Sequence, residues 1–268
     1  MRPNTYALPC AAAGRPFSRR AASNRTKGCC RSATNILRQN GVFGHFGAFV
    51  STSASPTPTL SGFDALLGAA DLALRTLFSP ARSDRPWDAN AAPMADALSA
   101  QEKSQVAALM RVNHTGEICA QALYSGQALA TKNNSLRSHL AAAGTEEVDH
   151  LAWTEARLGQ LGARGSLLNP LWYAGAFAIG YGAARLGDDW SLGFVAETEQ
   201  QVEAHLQSHL GRLPAHDTTS RAILQQMQAE EARHRDEAVA LGARVLPAPI
   251  QLAMRLAAKV MTSTAARI

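Results

Sequence analysis

Glu146-Glu147-Val148-Asp149-His150 and Glu230-Glu231-Ala232-Arg233-His234 repeat one pattern: two acids, two spacers and a histidine. On an α-helix, residues three apart lie about 60° from one another around the axis, so Glu147 and His150 project from one face, as do Glu231 and His234. One such pair means little, because Glu and His are common on solvated helix faces. Two pairs mean more here, because each follows a solitary glutamate: Glu117 lies 30 residues before Glu147, and Glu199 lies 32 before Glu231. Each half therefore reads Glu, about one helical hairpin, then Glu-x-x-His.

That order matches the di-metal carboxylate arrangement of ferritin-like bundles, in which two helices each give one Glu and two give Glu-x-x-His. The neighbours of the solitary acids are apolar: Val112, Ile118 and Ala120 around Glu117, and Leu192, Phe194, Val195 and Ala196 before Glu199. Uncompensated carboxylates at such positions would be expensive to bury. Two divalent cations neutralise four carboxylates, which would otherwise repel one another and take up protons. Oxygen-rich ligation with two imidazoles suits Fe or Mn and disfavours a structural zinc site; the sequence does not separate iron from manganese.

Further residues sit around this set. Glu146 and Glu230 each precede a ligand Glu and lie about 40° around the helix from the histidine of their own motif. Either can accept the free N–H of a ligand histidine on the facing helix and so fix its tautomer; the competing reading is a plain surface acid. Tyr124, seven residues after Glu117, shares its face and is a candidate hydrogen-bonding group near the site. His205 reads as a helix-surface residue or an outer support, since the six-residue set is complete without it.

The surrounding pattern predicts an all-α chain, with no segment of sustained β alternation. Four long helices are expected over residues 99–130, 135–161, 190–213 and 218–241, bounded by stop signals such as Gly162, Pro214 and Gly242. Shorter amphipathic helices are expected at 63–78 and 248–262. Between the second and third long helices runs Leu171–Ala184, 14 residues without a charge.

Charge is unevenly placed. Residues 1–63 hold eight of the 26 Lys and Arg residues and no Asp or Glu, leaving 18 bases against all 21 acids in the remainder. The net +5 therefore reports the leader, and a nucleic-acid partner finds no support in the body. Of the four cysteines only Cys119 lies in the body, so neither a disulfide framework nor a cysteine zinc site is expected. The division read from these features is a basic leader (1–60), a short helix and linker (61–98) and a metal-binding domain (99–268). The Arg- and Ser-rich leader reads either as a mitochondrial-type transit segment or as an upstream-start extension.

The segments MRVNHTGEICAQALYSGQ (110–127), EEVDHLAW (146–153), SLLNPLWYAG (166–175), FVAETEQQVEAHL (194–206) and EEARH (230–234) resemble the demethoxyubiquinol 3-hydroxylase family of ubiquinone biosynthesis, most closely its bacterial members. The resemblance covers nearly the whole body. It implies a di-iron centre held by Glu117, Glu147, His150, Glu199, Glu231 and His234, the same six that helix geometry selects. It implies O2-dependent ring hydroxylation of a polyprenyl benzoquinol, with other ubiquinone-biosynthesis proteins as partners. A ferroxidase or iron-handling protein is the alternative use of such a ligand set.

A polyprenyl substrate is met at a bilayer. Leu171–Ala184 is shorter than the roughly 20 residues needed to span one, and with Trp172 and Tyr173 at its start it reads as an interfacial segment. A buried core helix is the competing reading, and the C-terminal amphipathic helix is expected to cooperate. The bacterial resemblance implies peripheral placement on the cytoplasmic face of the inner membrane; a transit leader would imply the matrix face of the mitochondrial inner membrane.

Overall fold

The structure, a computed structural model, describes residues 62–85, 87 and 98–268. The expected leader, Pro86 and the part of the linker containing Pro93 lie outside the described residues. Seven helices and no strand are present among the described residues: α1 (Gly62–Phe78), α2 (Ala100–Ala130), α3 (Asn134–Gln160), α4 (Asn169–Leu186), α5 (Asp188–Leu210), α6 (Thr218–Ala240) and α7 (Ala248–Ala265). The all-α expectation holds. The helix starts are written in local chemistry. Ser99 caps α2 reciprocally with Glu102, and the side chains of Asn133 and Asp217 accept amides of the first turns of α3 and α6. α5 stops three residues before the expected Leu213, because the Arg212 and Leu213 amides both turn back onto the His209 carbonyl (2.9 and 3.1 Å) and tighten its last turn.

The apolar residues of α2, α3, α5 and α6 form two clusters, one at each end of these helices. The first joins Val106, Leu109 and Met110 of α2 with Trp153 and Leu158 of α3, Leu206 and Leu210 of α5, and Ile223, Leu224 and Met227 of α6. The second joins Tyr124 of α2, Leu136, Leu140 and Ala143 of α3, Leu192 and Val195 of α5, and Ala238 of α6. Followed in chain order, α2 and α6 run from the first cluster to the second, whereas α3 and α5 run the other way. α3 and α5 are therefore parallel, and a crossing is required between them. α4 makes it.

α4 packs along α2 at very short range. A Cβ at Gly126 would collide with the Phe177 carbonyl, and one at Gly180 would collide with the Leu123 carbonyl. The absence of side chains at these two points lets the helix backbones nearly touch. Asn169, Tyr173, Ala176, Gly180, Ala183 and Ala184 form the buried face of α4, while Leu171, Ile179, Tyr181 and Leu186 face outward. The uncharged run is thus a helix buried along one face and exposed along the other, not a fully buried core helix. No described helix is long and apolar enough to cross a membrane.

α1 lies against α2 and α4, with Ala73 and Leu77 beside Ile118 and Tyr173. α7 packs against α2 and α5; at its far end the Ile268 carbonyl accepts from the Leu167 amide (3.2 Å), and the Ala266 carbonyl accepts from Arg111 (3.2 Å).

Candidate metal centre

Between the two apolar clusters lies a polar layer. All six residues singled out by spacing meet there, each at most 3% exposed. They fall into two groups whose candidate ligand atoms lie within 4.8 Å of one another: Glu117, Glu147, His150 and Glu231, and Glu147, Glu199, Glu231 and His234. Glu147 and Glu231 belong to both. The Nδ1 of His150 is 3.2 Å from Glu147 Oε2 and 3.3 Å from Glu231 Oε1. The Nδ1 of His234 is 3.2 Å from Glu147 Oε1 and 3.5 Å from Glu231 Oε2. Each shared carboxylate thus turns one oxygen to each histidine. Glu117 closes the His150 side, 3.7 Å from its Nδ1, and Glu199 belongs to the His234 side.

The imidazoles are used at both ends. His150 presents Nε2 to Glu230 (2.6 Å), and His234 presents Nε2 to Glu146 (3.2 Å). In each case the acceptor stands on the facing helix. An Nε2 proton donated to that carboxylate leaves the Nδ1 lone pair aimed at carboxylate oxygens, an arrangement that repels unless a cation lies between. Glu147 Oε1, Glu231 Oε2 and His234 Nδ1 are buried without a hydrogen-bond partner, and such orphaned atoms call for an explanation. The donor set therefore fits divalent metal ions: four carboxylates, two imidazoles and no thiolate.

Without metal, protons carry the balancing charge. Burial, reinforced by the charges of Glu147 and Glu231, raises Glu117 well above the carboxylate range. Glu199 is raised in the same way, by burial and then by Glu231 and Glu147. Burial opposes charge on His234, but Glu147 and Glu231 outweigh it and push the imidazole up to about 11. For His150, too, burial opposes the charge but is outweighed by the neighbouring carboxylates Glu117 and Glu147, which raise the imidazole well above its usual value. Glu147 would be raised by burial, yet the two histidines hold it well below its usual value.

Tyr124 donates its hydroxyl to Glu199 Oε1 (2.7 Å), and burial followed by the Glu199 charge keeps the phenol protonated. His205 lies outside the cluster; its ring packs on His209 with centroids 3.9 Å apart.

Sequence reading missed two participants. Arg85, from the irregular segment after α1, bonds Asp149 (2.6 Å) and Glu230 (2.7 Å) and lies over the Trp153 ring, 5.2 Å from its centroid. Asp149, a spacer in the first motif, also accepts from Ser83 (2.6 Å). The only available signal was a carboxylate inside Glu-x-x-His, which cannot announce a partner more than sixty residues away.

One wall of the site opens into a cavity of about 820 Å3 between α2, α4, α5 and α7. Glu117 reaches its lining, where it joins mostly apolar groups such as Leu123, Ile179, Phe194 and Met254. The size lies within the range of small-molecule sites.

Residues 104–265 match the family model described as "Ubiquinone biosynthesis protein COQ7". The chain is similar to the 3-demethoxyubiquinol 3-hydroxylase of Aromatoleum aromaticum, at 59% identity over 74% of this chain and 96% of that protein. It is similar to those of Azoarcus sp. (56% identity, 77% of this chain, 100% of the relative) and Variovorax paradoxus (56%, 78% and 99%). A match across α2 to α7, together with relatives covered almost end to end, places this chain in the COQ7 family of ubiquinone biosynthesis proteins.

Proposed function

We propose that this chain hydroxylates the ring of demethoxyubiquinol with O2, at a di-iron centre held by Glu117, Glu147, His150, Glu199, Glu231 and His234. The observation that carries the reading is the junction of the Glu/His layer with the apolar cavity at Glu117. Iron at this site would supply O2 activation. The chain's own residues do the rest. Glu147 and Glu231 hold the two halves at one spacing, and Glu230 and Glu146 keep the imidazole Nδ1 atoms turned inward. The surrounding apolar groups keep water from the ring being hydroxylated.

Two up-running and two down-running helices, with one crossing through α4, support a ferritin-like bundle. The domain division at residues 60 and 98 accompanies that reading. A ferroxidase or storage role would use the same ligands, but the mostly apolar cavity of about 820 Å3 favours an apolar organic substrate. Ile179, in the cavity lining, is exposed, as are Leu171 of the same helix and Leu252, Leu256 and Val260 of α7, the helix that supplies one cavity wall. They support peripheral attachment to a bilayer, from which a prenyl tail enters. This reading puts the chain on the cytoplasmic face of the inner membrane, with other ubiquinone-biosynthesis proteins as its partners.

Protein reduced without oxygen should carry about two irons per chain and convert demethoxyubiquinol when O2 is admitted. Rapid mineralisation of excess Fe(II) with no quinol oxidised would instead establish the ferroxidase reading.

A further inference from the structure

The cavity lining is mostly apolar, with Thr198, Arg255, Lys259 and Thr262 among its polar members. Two further polar residues in it stand out because their polar atoms lack partners. Asn113, on α2 one turn before Glu117, is 3% exposed and lines the cavity. Neither its amide nitrogen nor its amide oxygen has a partner in the protein. His205, on α5, lines the same cavity, and its Nε2 is likewise buried and unpartnered. Contact with His209 fixes the ring, and burial lowers the imidazole's pKa, so it is neutral near pH 7 with one donor nitrogen and one acceptor. The neighbouring Gln201 differs: its amide is spent on Glu197 (2.6 Å).

Buried polar atoms without partners are costly, and a hydrocarbon tail does nothing to relieve them. A ring bearing oxygens does. The Asn113 amide offers a donor and an acceptor together, and His205 offers a third polar atom from the opposite helix. Carbonyl, hydroxyl and methoxy oxygens on one rigid ring match that set; a prenyl hydrocarbon chain matches none of it.

We propose that Asn113 and His205 grip the ring oxygens of the quinol, so that the cavity selects its ligand by the headgroup and not by the tail. This rests on the hydroxylase reading above and adds the residues that recognise the ring at the Glu117 end of the cavity. The apolar remainder of the cavity then accepts the prenyl chain without discriminating among apolar tails.

The test uses the full chain in detergent and two probes with the same diprenyl tail: ubiquinone-2, which carries the oxygenated ring, and geraniol, which does not. Calorimetric titration is run on wild type, Asn113→Leu, His205→Leu and His205→Gln. Each leucine variant should weaken ubiquinone-2 binding by about tenfold, the loss expected from a buried hydrogen-bonding group left unpaired. Geraniol binding, melting temperature and metal content should stay at wild-type values, and His205→Gln should keep most of the quinone affinity. Unchanged ubiquinone-2 binding in both leucine variants overturns the assignment, as does an equal loss for both probes. Wild-type protein that binds geraniol but not ubiquinone-2 would overturn the hydroxylase reading along with it, whereas failure confined to the variants leaves that reading standing.

Discussion

The two halves of the centre use the same five-residue pattern in different surroundings. On one side, His150 leans on Glu230, whose carboxylate is 8% exposed and held by Arg85 from a segment outside the four long helices. On the other, His234 leans on Glu146, 33% exposed and paired with Arg233, a residue of the second motif itself. The solitary glutamates differ as well. Glu199 is held by Tyr124, whereas Glu117 borders the cavity. The His150 side carries a strap from outside the four long helices, and the cavity lies beside Glu117. Sequence symmetry thus yields ligand symmetry, and function separates the halves in the layers outside it.

The largest effect should follow loss of a carboxylate common to both halves. Glu147→Ala or Glu231→Ala should bring bound iron close to zero, because each gives an oxygen to both sides. Glu117→Ala or Glu199→Ala should keep about half, since each serves one side. Metal analysis of anaerobically loaded protein checks this, and equal losses from all four variants would refute the shared geometry.

Protons come next. His234, pushed up to about 11, and the raised Glu117 and Glu199 must give up protons when cations bind. Affinity should therefore climb as pH rises, about tenfold per unit for each proton displaced. Chelator competition at pH 6 and pH 8 measures it. The sign for the metal-free fold is opposite. A histidine with a raised folded value contributes its full stability below its ordinary 6.5, and that stability is lost as pH rises toward 11. Metal-free protein should therefore melt progressively lower through the alkaline range.

Arg85→Ala frees Glu230 and with it the orientation of His150, and metal affinity should fall by about 10- to 100-fold. Arg85→Lys should recover part of this, because the charge returns without the fork that spans Asp149 and Glu230. The matching change on the other side, Arg233→Ala, should cost less than about fivefold, since exposed pairs are worth roughly 0–1 kcal/mol. If the two arginine variants behave alike, the contrast between the halves fails.

Much of this was legible in the sequence. Glu147 and His150 share a helix face by spacing alone, and 30 residues suffice to bring Glu117 back opposite them across a short turn at Asn133. The facing-helix positions of Glu146 and Glu230 follow from the same arithmetic. Arg85 was not legible, because it acts from irregular chain more than sixty residues before Asp149 and further still before Glu230. Nor was the role of α4. Uncharged residues look alike whether they face a protein or a lipid, and only the collisions that Gly126 and Gly180 avoid reveal which side of the helix meets α2. His205 read as peripheral because distance along α5 says nothing about a cavity.

Each apolar cluster draws on α2, α3, α5 and α6 together, and the buried Glu/His layer lies between them. Neither helical hairpin can close either cluster or complete a ligand group alone. The site therefore comes into being only when the two hairpins have docked, so on the folding pathway tight metal uptake belongs to the last step and serves as a clock for its completion.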